Sequence, residues 1–110
     1  MEAKNLTDLV RFSAEGPGRE TLFETERVWA ELVCLDRAQE TGPMGDPGSD
    51  AIITVVAGEA VVFLDRERRR LPQWGSVVVP AGSEVFVRNA STDPAVILLV
   101  AAPPPQRAEG

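Results

Sequence analysis

The chain contains no histidine and a single cysteine, Cys34. Without imidazole there is no Ser-His or Cys-His nucleophile pair, no histidine general base and no histidine metal ligand. One thiol makes neither an intrachain disulfide nor a thiolate zinc site, and it agrees with a reducing compartment. Long apolar runs are also missing. The longest, from Ala95 to Ala102, has the length of a strand, far short of the ~20 residues that span a bilayer. The segment after Met1 holds no hydrophobic signal stretch, so the expected location is cytoplasmic, with no membrane partner. Basic residues are in the minority, 11 against 17 acidic ones for a net charge of −6. That balance speaks against nucleic acid as a partner, because phosphate binding needs a basic face. The run Arg66-Glu-Arg-Arg-Arg70 is the local exception. It reads as a solvated hairpin tip, with anion contact as the alternative.

What remains for chemistry is carboxylates, arginines, hydroxyls and backbone. At 110 residues, 44% of them hydrophobic, there is material for one domain with one core. Asn5 to Phe12 predicts a short helical turn, capped by Asn5 or Thr7, with Leu6, Leu9 and Val10 on one face. Helical periodicity ends at Glu15-Gly-Pro-Gly18. Strands are predicted over Arg19–Thr25, Arg27–Leu35, Ala51–Ala57, Ala60–Asp65, Arg69–Leu71, Ser76–Val79, Glu84–Asn89 and Ala95–Ala101. The stretch from Thr41 to Asp50 is dense in Gly, Pro and Asp and is expected to be an irregular loop. Short strands at regular intervals point to an all-β sandwich or small barrel. The strands at Ala51–Ala57 and Ala95–Ala101 are apolar at nearly every position, so both of their faces are expected to be covered. The expected organisation is an N-terminal segment over 1–18, a barrel over 19–103 and a polar tail over 104–110.

From about Arg27 to Pro103 the order of strands and glycines resembles the cupin family. Cupins carry two motifs, one running from a glycine through His-x-His and a Glu to a closing Gly, the other from a glycine through Pro-x-Gly and a His to an Asn. Gly75, Pro80, Gly82 and Asn89 match the second, although Gly75 and Pro80 stand one residue closer than is usual, and Val85 takes the histidine position. In the first, Gly58 is the closing glycine, Ala51 takes the glutamate position, Met44 and Asp46 replace the two histidines, and Ala38 stands where the opening glycine would be. The resemblance implies a small jelly-roll β-barrel, commonly a homodimer, whose family metal site here reads Met44, Asp46, Ala51 and Val85. One carboxylate does not hold an ion that needs several converging donors, so no metal and no cofactor are expected.

Alternation along the strand aims Ile53 and Val55 inward beside Ala51, which predicts an apolar pocket of Met44, Ala51, Ile53, Val55 and Val85 with Asp46 at its mouth. Asp46 and Asp50 also suit turns in a Gly/Pro loop. Glu84 and Arg88 have outward parity relative to Val85. Cys34, within an apolar run, reads as a small buried hydrophobe, and Trp29, Trp74, Phe63 and Phe86 as core or interface residues. No catalytic residue is assigned. The expected function is a metal-free module that binds a small, largely apolar ligand in the barrel or serves structurally. The alternatives are a metal-independent isomerase or epimerase using Asp46, Asp50 or Cys34, and an interaction or sensor domain working through its surface or dimer contact.

Overall fold

Closely spaced turn formers cut this chain into short pieces, and β-branched residues between them favour extended backbone. The structure, a computed structural model, describes residues 1–105, so all but the first two residues of the expected tail lie outside the described residues. A 3-10 turn at Leu6–Leu9 precedes strands β1 (Gly18–Glu24), β2 (Trp29–Leu35), β3 (Asp50–Ala57), β4 (Ala60–Leu64), β5 (Glu67–Leu71), β6 (Ser76–Val79), β7 (Val85–Arg88) and β8 (Ala95–Ala102). They form two antiparallel sheets, one ordered β1-β2-β8-β3-β6 and the other β5-β4-β7. The fold is thus all-β and jelly-roll-like, with a minor helical segment at its N-terminus. Among the described residues, no helix is long and apolar enough to cross a membrane.

The main core fills the space between the sheets. Val33, Leu35, Ile53, Val55, Ile97 and Leu99 from the larger sheet meet Val62, Val85 and Val87 from the smaller one. Burying each such side chain contributes on the order of 1.5–3 kcal/mol. A second cluster lies on the outer face of the larger sheet, where Leu22, Ala30, Leu32, Cys34 and Val96 are covered by Leu6, Leu9 and Val10. The N-terminal segment therefore acts as a lid on the sheet. Asn5 starts it, its side chain accepting a hydrogen bond from the Thr7 backbone N–H at 3.1 Å.

Two details differ from the sequence reading. β2 is buried along its whole length and most of β8 is too, but Ile52 on the outer face of β3 is 49% exposed, so β3 is only partly covered. The hairpin after β4 is also tighter than expected. It turns at Asp65 and Arg66, with Asp65 in the left-handed region at φ 51°, and β5 begins at Glu67. Asp65 secures the turn by accepting a hydrogen bond from the Glu84 backbone N–H on Oδ1. Arg68 is a strand residue as a result, as Arg69 and Arg70 were expected to be, and the three alternate between the faces of the small sheet.

Candidate functional site

Cross-strand register builds a hollow into one end of the core. Trp29 on β2 faces Ala101 on β8, Ala101 faces Ala51 on β3, and Ala51 faces Val79 on β6. This single row crosses the inner face of the larger sheet with two alanines between a tryptophan and a valine. The missing side-chain volume at Ala51 and Ala101 leaves space that larger residues would have filled. The opposite wall comes from the loop after β2, whose backbone runs along the free edge of β7. Thr41 N–H donates to the Val87 carbonyl at 2.9 Å, Met44 N–H to the Val85 carbonyl at 2.7 Å, and Val85 N–H returns to the Met44 carbonyl at 3.0 Å. These bonds hold Met44 beside Val85 although the loop sequence carries no strand signal.

The result is a cavity of about 190 Å³ lined mainly by apolar side chains. Met44, Asp46, Ala51 and Val85, the four positions that replace the family's ligands, all line it. Ile53 and Val55 do not line it; they lie deeper, with no exposed surface, in the main core. Glu84 and Arg88 are exposed, on the opposite side of β7 from Val85 and Val87.

Several lining residues escaped the sequence reading. Trp29, assigned to core or interface, is buried and forms one wall. Arg19 lies at the rim and is fastened to Glu31, with its Nε donating at 3.0 Å and its Nη2 at 2.6 Å to the same carboxylate oxygen. The Arg19 guanidinium also reaches the Thr41 carbonyl at 3.4 Å and the Met44 sulfur at 3.6 Å, which ties β1 to the loop that closes the cavity. Glu31 is a buried carboxylate in an otherwise apolar strand. That lone charge inside Trp29–Leu35, together with a nearby Arg, was the available signal. Pro105 also lines the cavity, and the Ser49 hydroxyl donates to the Pro103 carbonyl at 2.7 Å, drawing the end of the described chain across the opening.

The candidate carboxylates have structural work. Asp46 lines the cavity while its Oδ1 accepts from Gly48 N–H at 3.2 Å and its own carbonyl accepts from Gly82 N–H at 3.1 Å. The Asp50 carboxylate accepts from Ala81 N–H at 2.9 Å, bracing the turn after β6. Cys34 belongs to the outer cluster, across the sheet from the cavity. Burial pushes its thiol pKa up and a backbone hydrogen bond from Arg11 offsets part of that, so the protonated form is favoured. Asp46, Asp50 and Cys34 are therefore not gathered around one reacting centre.

A metal ion of the kind many cupins hold does not fit these residues. Of the four positions, only Asp46 offers an anionic donor, and among the described residues no three His, Cys, Asp or Glu side chains converge. What the cavity can do is enclose an apolar body and meet its polar end at a rim carrying Arg19, held by Glu31 behind it, and Asp46.

Neither protein-family models nor curated proteins match this sequence. Solved structures do. The structure of TT1209 from Thermus thermophilus superposes with a TM-score of 0.90 at 34% identity, over 96% of this chain and all of that one. An RmlC-like cupin protein from Desulfovibrio desulfuricans superposes at 0.85 with 25% identity, covering 94% of this chain and 98% of its own. An uncharacterized conserved protein with a double-stranded β-helix domain from Klebsiella pneumoniae reaches 0.87 at 21% identity, covering 94% and 90%, a likeness of fold alone.

Proposed function

This chain belongs to the cupin superfamily, and from that premise we propose that it works without a metal ion, enclosing a small, largely apolar ligand in its barrel. The observation that carries this reading is the cavity itself. All four ligand-replacing positions converge on it, three of them apolar, around a hollow of about 190 Å³. An apolar cavity of ~150 Å³ accepts benzene. A body of roughly one ring with a short substituent is therefore matched in size, and a hydroxyl or amide on that substituent would meet both signs of charge at the rim.

The proposal includes a homodimer. Ile52 and Val78 are cross-strand partners on the outer face of the larger sheet, 49% and 64% exposed, and β6 is an edge strand of that sheet. Adjacent exposed apolar side chains at an open edge favour cover by a second copy.

The two tryptophans allow a direct test of the cavity, because Trp29 forms one wall while Trp74 is 72% exposed. The Trp74→Phe chain keeps Trp29 as its sole indole. Titration with benzyl alcohol is expected to change Trp29 fluorescence saturably, and adding Ala101→Leu, which fills the hollow, is expected to abolish the change. Elemental analysis of the purified protein is expected to find no stoichiometric transition metal. An unresponsive Trp29 would remove the ligand reading, and a stoichiometric metal would remove the metal-free one.

A further inference from the structure

The outer face of the three-stranded sheet takes no part in the cavity. Val62 on β4 is buried inward, so Val61 and Phe63 project from the other side. Register places Arg70 of β5 and Arg88 of β7 on either side of Val61, and Arg68 of β5 and Phe86 of β7 on either side of Phe63. The face thus reads as two rows, Arg70–Val61–Arg88 and Arg68–Phe63–Phe86. The two phenylalanine rings stack with centroids 4.4 Å apart and planes 8° from parallel. Val61, Phe63, Arg68, Arg70, Arg88 and Ala90 line a shallow groove of about 440 Å³.

The charge on this face is unusual for the chain. Arg70 is paired with Glu59 at 3.3 Å. Among the described residues no ion pair holds Arg68 or Arg88, and Glu40, bridged to Arg88 through the backbone, makes none with it. Arg68 and Arg88, which no ion pair holds among the described residues, stand on opposite flanks of β4, beside Phe63 and Val61, in a protein with a surplus of acidic residues and a net charge of −6. An anion seated between these two guanidiniums would supply the counter-charge that none of the described ion pairs gives them.

We propose that this groove is a second binding site, for a phosphate monoester carrying an aromatic or apolar body, with Arg68 and Arg88 holding the phosphate and Val61 and Phe63 carrying the body. Guanidinium matches phosphate oxygens through paired N–H donors, and a monoester phosphate near neutral pH brings close to two charges and three acceptor oxygens. Phe63 and Val61 supply the apolar contact that a bare ion could not use. A small ligand is favoured over a nucleic-acid strand because the rest of the acidic surface repels a polyanion outside this patch.

The test is a titration of the full chain with phenyl phosphate, followed residue by residue through its backbone amide resonances. Saturable shifts are expected over 60–64, 67–71 and 86–88, with Trp29 unmoved, while phenol is expected to cause none over these residues, its binding in the cavity showing at Met44 and Trp29 instead. Inorganic phosphate is expected to bind at least about fivefold more weakly. Arg68→Gln with Arg88→Gln is expected to weaken phenyl phosphate about tenfold or more without moving the melting temperature, since both side chains are exposed. No saturable shift up to about 20 mM would overturn the site, as would shifts centred on Met44 and Trp29, or affinity unaffected by the paired substitution. Tighter binding of a short oligothymidylate than of phenyl phosphate would overturn the small-ligand assignment.

Discussion

Asn89 illustrates why part of the family pattern persists when the ligand positions do not. Its side chain has no exposed surface, and its amide donates to the carbonyls of Leu35 at 3.0 Å, Asp36 at 3.3 Å and Asp93 at 2.8 Å while its oxygen accepts from Ser91 N–H. One residue therefore joins the end of β2, the end of β7 and the turn into β8. Gly58 and Gly82 act similarly for the backbone. Both adopt positive φ, 74° and 86°, and a side chain at Gly58 would also run into the Pro94 carbonyl. These residues answer to the architecture, so they are needed whether or not an ion is bound. Replacing Asn89 with Leu removes the bonds and leaves buried carbonyls without a donor; a loss of about 2–4 kcal/mol in urea denaturation is expected, against well under 1 kcal/mol for the exposed neighbour Ala90→Ser. The glycines and the asparagine were legible in the sequence as a pattern. That Asn89 is a three-way clamp was not, because its partners are separated from it by as many as 54 positions.

Among elements, the edge strand β1 shows how a polar pair can organise one rim of the cavity. Arg19 stands opposite Val33 on β2, and Glu31 lies two positions back along β2 on the same face. Glu31 is nearly buried at its side chain, 10% accessible, and Arg19 is 37% accessible. The pair is consequently neither a surface bridge nor fully desolvated, and its value rests on not leaving Glu31 alone. Arg19→Met is expected to cost about 1–3 kcal/mol by chemical denaturation, and combining it with Glu31→Leu is expected to recover most of that loss. If the double variant is as unstable as the single one, the Arg19 contacts to Thr41 and Met44 matter more than charge. The β4–β5 hairpin teaches a different lesson at this scale. Charged residues over Arg66–Arg68 suggested the turn, but Asp65 takes the left-handed conformation one position before Arg66 and shifts the tip, so Arg68 joins Arg69 and Arg70 in a ladder. Local polarity did not reveal this. The geometry of a two-residue turn did.

For the whole molecule, the N-terminal segment covers the larger sheet over Leu32, Cys34 and Val96 and leaves Ile52 and Val78 open. A second copy laid against that opening would finish the cover. Sedimentation velocity is expected to show a dimer, and Val78→Lys is expected to shift it to monomer, since a charge cannot be buried there unpaired. A monomeric parent chain, or a dimer indifferent to Val78→Lys, would move the interface elsewhere.

By itself the sequence determined that the fold is all-β of jelly-roll type and that its family's histidine ligands are gone. Strand periodicity, turn chemistry and the absence of a residue type are local properties, readable without partners. It also put Ala51, Ile53 and Val55 on the inward face of one strand, because alternation is a property of the strand alone. Only the tertiary structure decided that Ala51 borders a hollow while Ile53 and Val55 are packed solid. That outcome depends on what stands across the sheet: Ala101 beside Ala51 leaves room, and Leu99 beside Ile53 does not. Volume is a sum over neighbours brought together by register, and register is not written in any one strand.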